Sequence, residues 1–132
     1  MVGGYIPGPG GVGELLVGVD QSTMKDFPPD IAGMLTTELK KYPRGSLLYV
    51  KAVNAGLNQF NRRELQEELK PLRTKKCPFV NLPERRRHQH ALTEDKMKLC
   101  VWVKPERRCE LAYHAWTPCG HLRHPEFREV VR

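Results

Sequence analysis

The chain is expected to be mainly β: a five-stranded Greek-key barrel with a helix after the third strand and a second helix inserted between strands two and three. Three observations carry this expectation. Short apolar runs bounded by glycine and proline recur through the 132 residues. Two stretches place apolar residues at helical spacing. No apolar run approaches the roughly 20 residues of a membrane span, so no membrane partner is expected.

Met1 to Ile6 reads as the first strand, Pro7 to Gly13 as a Gly/Pro loop, and Glu14 to Val19 as a second strand that is almost continuously apolar. Asp20 to Gly45 contains the inserted helix. Pro28 and Pro29 suit its first turn, Ile31, Met34, Leu35, Leu39 and Tyr42 share a face, and Pro43 and Gly45 stop it. Ser46 to Asn54 is the third strand. For the next helix, Asn61 as cap, Glu64 three residues on, and Phe60 with Leu65 as staple form the start signal. Leu65, Leu69 and Leu72 share its buried face, and Pro71 ends it. Residues 73 to 97 form a long basic connection, followed by Leu99–Val103 and Cys109–Trp116 as strands four and five. A helix after the third of five strands is where an oligonucleotide-binding (OB) barrel carries one. The whole chain is therefore read as one domain, 1–132, with 20–45 as an inserted segment.

Lysine and arginine number 22 against 15 acidic residues, a formal net charge of +7, which favours polyanionic partners. Arg62-Arg63 open the second helix, Lys70, Arg73, Lys75 and Lys76 crowd its end, and Arg85-Arg86-Arg87 follow in the connection. Charge runs are usually just solvated faces, but here three fall in or beside one connection. With Lys51 on the third strand, these make Arg62, Arg63, Arg73, Lys75, Lys76, Arg85, Arg86 and Arg87 the candidate DNA contacts. A surface neutralising about five phosphates would bind duplex DNA with Kd on the order of 10⁻⁴–10⁻⁶ M and a steep salt dependence. No helix carries base-reading side chains at recognition spacing, so sequence specificity is not expected.

Other motifs weigh less. Gly8-Pro9-Gly10-Gly11-Val12-Gly13 satisfies the dinucleotide pattern, yet a strand-like Leu15-Leu16-Val17 follows where a helix N-terminus is required. Cys77, Cys100, Cys109 and Cys119 lack Cys-x-x-Cys spacing, and Cys119-Gly120-His121 with His88 and His90 falls outside the usual zinc patterns. No metal site and no disulfide framework are expected. Trp102 and Trp116 sit in apolar strands, where core packing is favoured over a stacking role. The N-terminus lacks a secretory layout, which points to the cytoplasm.

Five segments in one order add a family resemblance: Val2-Gly3-Gly4-Tyr5, Glu14 to Val19, Leu48-Tyr49-Val50-Lys51, Leu69 to Leu72 with Cys77-Pro78-Phe79, and Leu122-Arg123-His124-Pro125-Glu126-Phe127. Together they resemble the C-terminal OB domain of bacterial ATP-dependent DNA ligases, from Val2 to Phe127 with Asp20–Gly45 outside the match. The resemblance implies a non-catalytic DNA-binding domain that grips nicked duplex DNA during DNA repair and recombination. It also implies a closing motif that orients ATP phosphates for an adenylation domain in cis or in trans. Arg123 matches the first arginine of that motif, and a guanidinium suits the role because it stays charged and forks onto phosphate oxygens. Arg132 stands one residue out of register with the second arginine. The family's Gly-Thr-Gly-Phe or Asn-Gly-Phe loop is Asn54-Ala55-Gly56-Leu57 here. Lys-x-Asp-Gly, which carries the adenylated lysine, occurs nowhere in the chain. The chain alone is therefore expected to be inactive, with ATP and Mg²⁺ needed by the full ligase and no cofactor in this chain. The alternatives are a stand-alone OB module for single-stranded nucleic acid and a degenerate remnant that binds neither substrate.

Overall fold

Backbone turn chemistry begins the barrel. In the computed structural model, which describes residues 1–84, 91–116 and 122–131, β1 (Val2–Gly8) and β2 (Gly11–Val19) form an antiparallel hairpin around Pro9 and Gly10. Gly10 has φ +80°, a conformation that a proline-first turn requires of its next residue and that glycine adopts without steric cost. A 3₁₀ turn (Gln21–Asp26) leads to α1 (Pro29–Leu39), and β3 (Leu48–Val53) then returns antiparallel to β2. α2 (Gln59–Leu69), β4 (Arg73–Thr74), the short α3 (Glu94–Met97) and the long β5 (Val101–Ala112) follow. A small hairpin, β6 (Ala115–Trp116) with β7 (Leu122–Arg123), precedes the last strand, β8 (Glu126–Val131).

The sheet runs β3-β2-β1-β5-β4, with β8 on the far half of β5. The backbone N–H of Phe127 donates to the carbonyl of Ala55 at 2.8 Å, just past β3. Strands β1, β2, β3, β8 and β5 thereby form a circuit, consistent with the expected OB barrel. The strand boundaries differ from expectation at the C-terminal end. The expected fourth strand and the first residues of the fifth are one strand, β5, and the barrel's last strand is β8. Residues 104–108, expected to separate those two strands, lie within β5. Val2 pairs with Arg107 and Gly4 with Trp102, so the residues around Pro105 bulge from the ladder, where proline's missing N–H costs nothing.

Both faces of the sheet are covered, which explains why β2 reads as continuously apolar. Tyr5, Leu15, Val17, Leu48, Val50, Val53 and Val103 point into the barrel. Leu16, Tyr49 and Trp102 point the other way, against Phe79, Leu92 and Met97 of the 73–97 connection. The described parts of that connection thus form a second layer. Phe79 lies so close to Gly3 and Gly18 that a β-carbon at either glycine would collide with its ring. Asn81 then covers the edge of β3: its Oδ1 accepts from the Tyr49 N–H at 2.8 Å and its Nδ2 donates to the Tyr49 carbonyl at 3.1 Å.

Both longer helices feed the barrel interior. Leu65 and Leu69 of α2 join it from one element, and Met24, Leu35 and Leu39 of the inserted segment join it from another, beside Leu122 and Phe127. The insertion therefore completes the core. The cap of α2 also lies earlier than expected. Asn58 accepts from the N–H groups of Phe60 (2.9 Å) and Asn61 (3.0 Å), while Asn61 Oδ1 accepts from the Asn58 N–H at 2.6 Å. Asn61 is the reciprocal partner in a capping box rather than the cap itself. Phe60, expected in a staple, is 76% exposed. Among the described residues, no helix is long and apolar enough to cross a membrane.

Candidate nucleic-acid interface

α2 organises most of the expected cationic residues. Arg63 and Lys70 are both exposed and lie seven positions apart, on one helix face about 10 Å apart along the axis. Glu67 lies between them and dilutes the charge. The chain then turns through Leu72 into β4, where Arg73, and beyond it Lys75 and Lys76, are exposed. Among the described residues, no ion pair engages Arg63, Arg73, Lys75 or Lys76. Arg73 Nη2 donates to the phenolic oxygen of the buried Tyr5 at 2.9 Å, which fixes one end of its fork and leaves other donors outward.

Arg62 sits differently from its neighbour. Its Nη1 donates to the carbonyls of Val12 (2.8 Å) and Gly13 (2.7 Å), and Nη2 reaches Leu57 O at 3.5 Å. The guanidinium thus pins α2 to the β1–β2 hairpin. Gly11, at φ +136°, is needed there because a β-carbon would strike the backbone of Arg62 and Arg63. Arg62, expected among the DNA contacts, directs its guanidinium at backbone carbonyls of the hairpin. Adjacent arginines on a helix point about 100° apart, so a doublet rarely serves one face.

The remaining candidates are not gathered with this group. Lys51 is half-buried on β3, opposite Val17, and β3 and β4 occupy opposite ends of the strand order. Arg123 is exposed on β7, opposite Ala115, and its carbonyl accepts from the His114 N–H at 3.0 Å. β4 pairs with Val103 and Trp102 at the start of β5, whereas the β6–β7 hairpin follows the end of β5 at Ala112. Nine residues of strand separate those points, up to roughly 30 Å at full extension and less through the bulge. Arg85, Arg86, Arg87 and Arg132 lie outside the described residues, as do His88, His90, Cys119 and His121.

The tryptophans are each half-buried. Trp116 meets Phe27 edge-on at 5.3 Å and Tyr113 at 5.9 Å, on the barrel side. Trp102 meets Phe79 edge-on at 6.1 Å, on the outer layer. It also floors a cleft of about 470 Å³ that Pro83, Glu94, Met97 and Lys98 line among the described residues. Sequence reading missed this cleft. The available signal was alternation in Val101-Trp102-Val103, which turns Trp102 away from the barrel that its neighbours face. Burial pushes the Cys100 and Cys109 thiols each up to about 11, so neither is a ready nucleophile at neutral pH.

Comparison with known proteins adds the following. Residues 9–132 match the family described as the ATP dependent DNA ligase C terminal region. Over 85 residues the chain is 35% identical to the multifunctional non-homologous end joining protein LigD of Mycobacterium bovis. The multifunctional non-homologous end joining DNA repair protein LigD of Mycobacterium tuberculosis matches to the same extent, 35% over 85 residues. Each alignment takes in 64% of this chain and 10% of the relative, so the chain covers about a tenth of those proteins. The crystal structure of the ligase domain from M. tuberculosis LigD superposes with a TM-score of 0.68 at 30% identity, covering 98% of this chain and 33% of that one. A mycobacterial DNA ligase D complexed with ATP and MES gives a TM-score of 0.65 at 30% identity, covering 98% of this chain and 32% of that one.

Proposed function

From the premise that the chain belongs to the ATP-dependent DNA ligase C-terminal region family, we propose that it grips nicked duplex DNA and presents Arg123 to ATP phosphates held by an adenylation domain. The observation that carries this reading is the separation of two outward cationic groups. Arg63, Lys70, Arg73, Lys75 and Lys76 follow α2 into β4, and Arg123 stands beyond the opposite end of β5. One group can hold a phosphate backbone while the other faces a second body.

The chemistry assigned to each group follows from its side chains. Flexible, exposed lysines and arginines without base-reading geometry neutralise phosphates regardless of sequence. Lys51, half-buried on β3 outside the α2–β4 strip, is not assigned to the same grip. An exposed guanidinium on a hairpin can fork onto the β- and γ-phosphate oxygens and orient the leaving pyrophosphate. It does not itself react. The nucleophilic lysine, the ATP pocket and the Mg²⁺ that neutralises the phosphates belong to the adenylation domain in cis or in trans, so this chain alone has no ligase activity.

The test is reconstitution. Adding the chain to a matching adenylation domain restores sealing of a nicked duplex with ATP and Mg²⁺. Sealing no faster than by the adenylation domain alone would overturn the reading.

A further inference from the structure

Resting on that reading, we infer that the Trp102 cleft is a binding site for one unpaired nucleotide, whose base stacks on the indole while Glu94 accepts from its exocyclic amino group. The ring is held in place before any ligand arrives. Gly4 lies beneath it, where a β-carbon would come within 3.0 Å of the indole, and Phe79 braces it edge-on at 6.1 Å. A prepositioned aromatic floor loses little entropy on stacking. Pro83 and Met97 supply apolar walls to a wide-open cleft of about 470 Å³, which leaves one face of a stacked base in solvent.

The surroundings match a nucleotide rather than a purely apolar group. Trp102 is the cross-strand partner of Thr74, so Lys75 and Lys76 begin one and two residues away on the neighbouring strand. Their flexible ammonium groups can meet the phosphates that flank a stacked base. Lys98 lies on the cleft itself, and its contact to Asp95 is long, at 3.8 Å, between two exposed side chains. Such a pair is worth little and yields readily to a phosphate. Glu94 is the one carboxylate lining the cleft among the described residues. A carboxylate accepts hydrogen bonds and donates none, so it favours bases with an amino edge. Cytosine offers N4–H₂ there, whereas thymine offers the O4 carbonyl, which a carboxylate repels. The site therefore takes an unpaired strand beside the gripped duplex, with cytosine preferred to thymine.

The experiment titrates the 132-residue chain with oligodeoxycytidylate and oligodeoxythymidylate of equal length, reading tryptophan emission, with nicked-duplex binding followed by anisotropy in parallel. The expected result is quenching by oligodeoxycytidylate that survives Trp116→Phe but is lost in Trp102→Ala. Trp102→Ala should also weaken single-strand binding at least about fivefold while leaving nicked-duplex affinity within twofold. Glu94→Gln, an exposed substitution, should erase the cytosine preference without unfolding. Equal affinity of the parent chain for the two oligonucleotides, or unchanged single-strand affinity in Trp102→Ala, overturns the inference. Where nicked-duplex binding persists in that case, the ligase reading stands without it; where neither nucleic acid binds, both fall.

Discussion

The Phe127 N–H donates to the Ala55 carbonyl at 2.8 Å, and this bond joins β8 to the end of β3 and closes the barrel. The next residue, Gly56, has φ +85°, and a β-carbon on it would strike the backbone of Phe127. Glycine is required there for two reasons at once: the left-handed conformation and the close approach. Gly56→Ala is expected to destabilise the fold by about 1–3 kcal/mol. It should also release the Phe127 amide to solvent exchange. An urea midpoint and an amide protection factor equal to those of the parent would show that the strands close by other contacts.

Phe79 makes the analogous demand on β1 and β2 from outside the barrel. Its ring fills the space above Gly3 and Gly18, with Gly18's β-carbon position only 2.6 Å from it. Gly3→Ala, whose new β-carbon would meet the Phe79 ring first, should cost about 1–3 kcal/mol by overpacking, and Phe79→Ala about 3–5 kcal/mol by leaving a cavity. The double variant should be less unstable than the sum of the two, because the new methyl then has room. Strict additivity in urea denaturation would argue against contact between the two sites.

Arg62 and Arg63 should separate cleanly when each is replaced by alanine. Arg62→Ala removes donors from the Val12 and Gly13 carbonyls and should destabilise by about 1.5–3 kcal/mol. Nicked-duplex affinity of the folded protein should stay near the parent value. Arg63→Ala should leave stability within about 0.5 kcal/mol and reduce the slope of log Kobs against log salt by roughly one. Reversed outcomes, read by thermal melting and by anisotropy at several salt concentrations, would exchange the two roles.

Arg123→Ala, tested in the reconstituted ligase, should slow lysine adenylation by on the order of 10²–10³-fold. The DNA Kd should change little, since the residue lies away from the α2–β4 strip. Arg123→Lys should recover only part of the rate because an ammonium cannot fork onto two oxygens. Equal losses in adenylation and DNA binding would place Arg123 on the DNA instead.

Stability should fall in alkaline solution. Burial raises the Cys100 and Cys109 thiols from the usual 9.0 to about 11 each, so the native state retains protons that the unfolded chain releases. Their contribution is complete below about pH 9 and is lost as pH climbs toward 11. Burial moves the Tyr49 phenol upward too, which adds to the same trend at the alkaline end. A Cys100→Ala, Cys109→Ala variant should show a shallower decline of the urea midpoint over that interval. A parent midpoint independent of pH there would contradict the burial.

The amino-acid order alone determined the strand-rich class, the helix after the third strand, the cationic balance and the resemblance to the ligase C-terminal family. These are local or cumulative properties, carried by apolar spacing, turn residues and charge counts. It misplaced the boundary near Pro105, because a bulge tolerates proline and only the partner strand reveals one. It chose Asn61 over Asn58 as a cap, since both follow the same spacing rule and only backbone direction separates them. The packing of residues 20–45 into the core, the covering of the outer sheet face by Phe79 and the anchoring of Arg62 on the β1–β2 hairpin were settled by tertiary structure. Each depends on atoms brought together from positions far apart in the chain, such as Arg62 on Val12. Local sequence patterns carry no record of such distances.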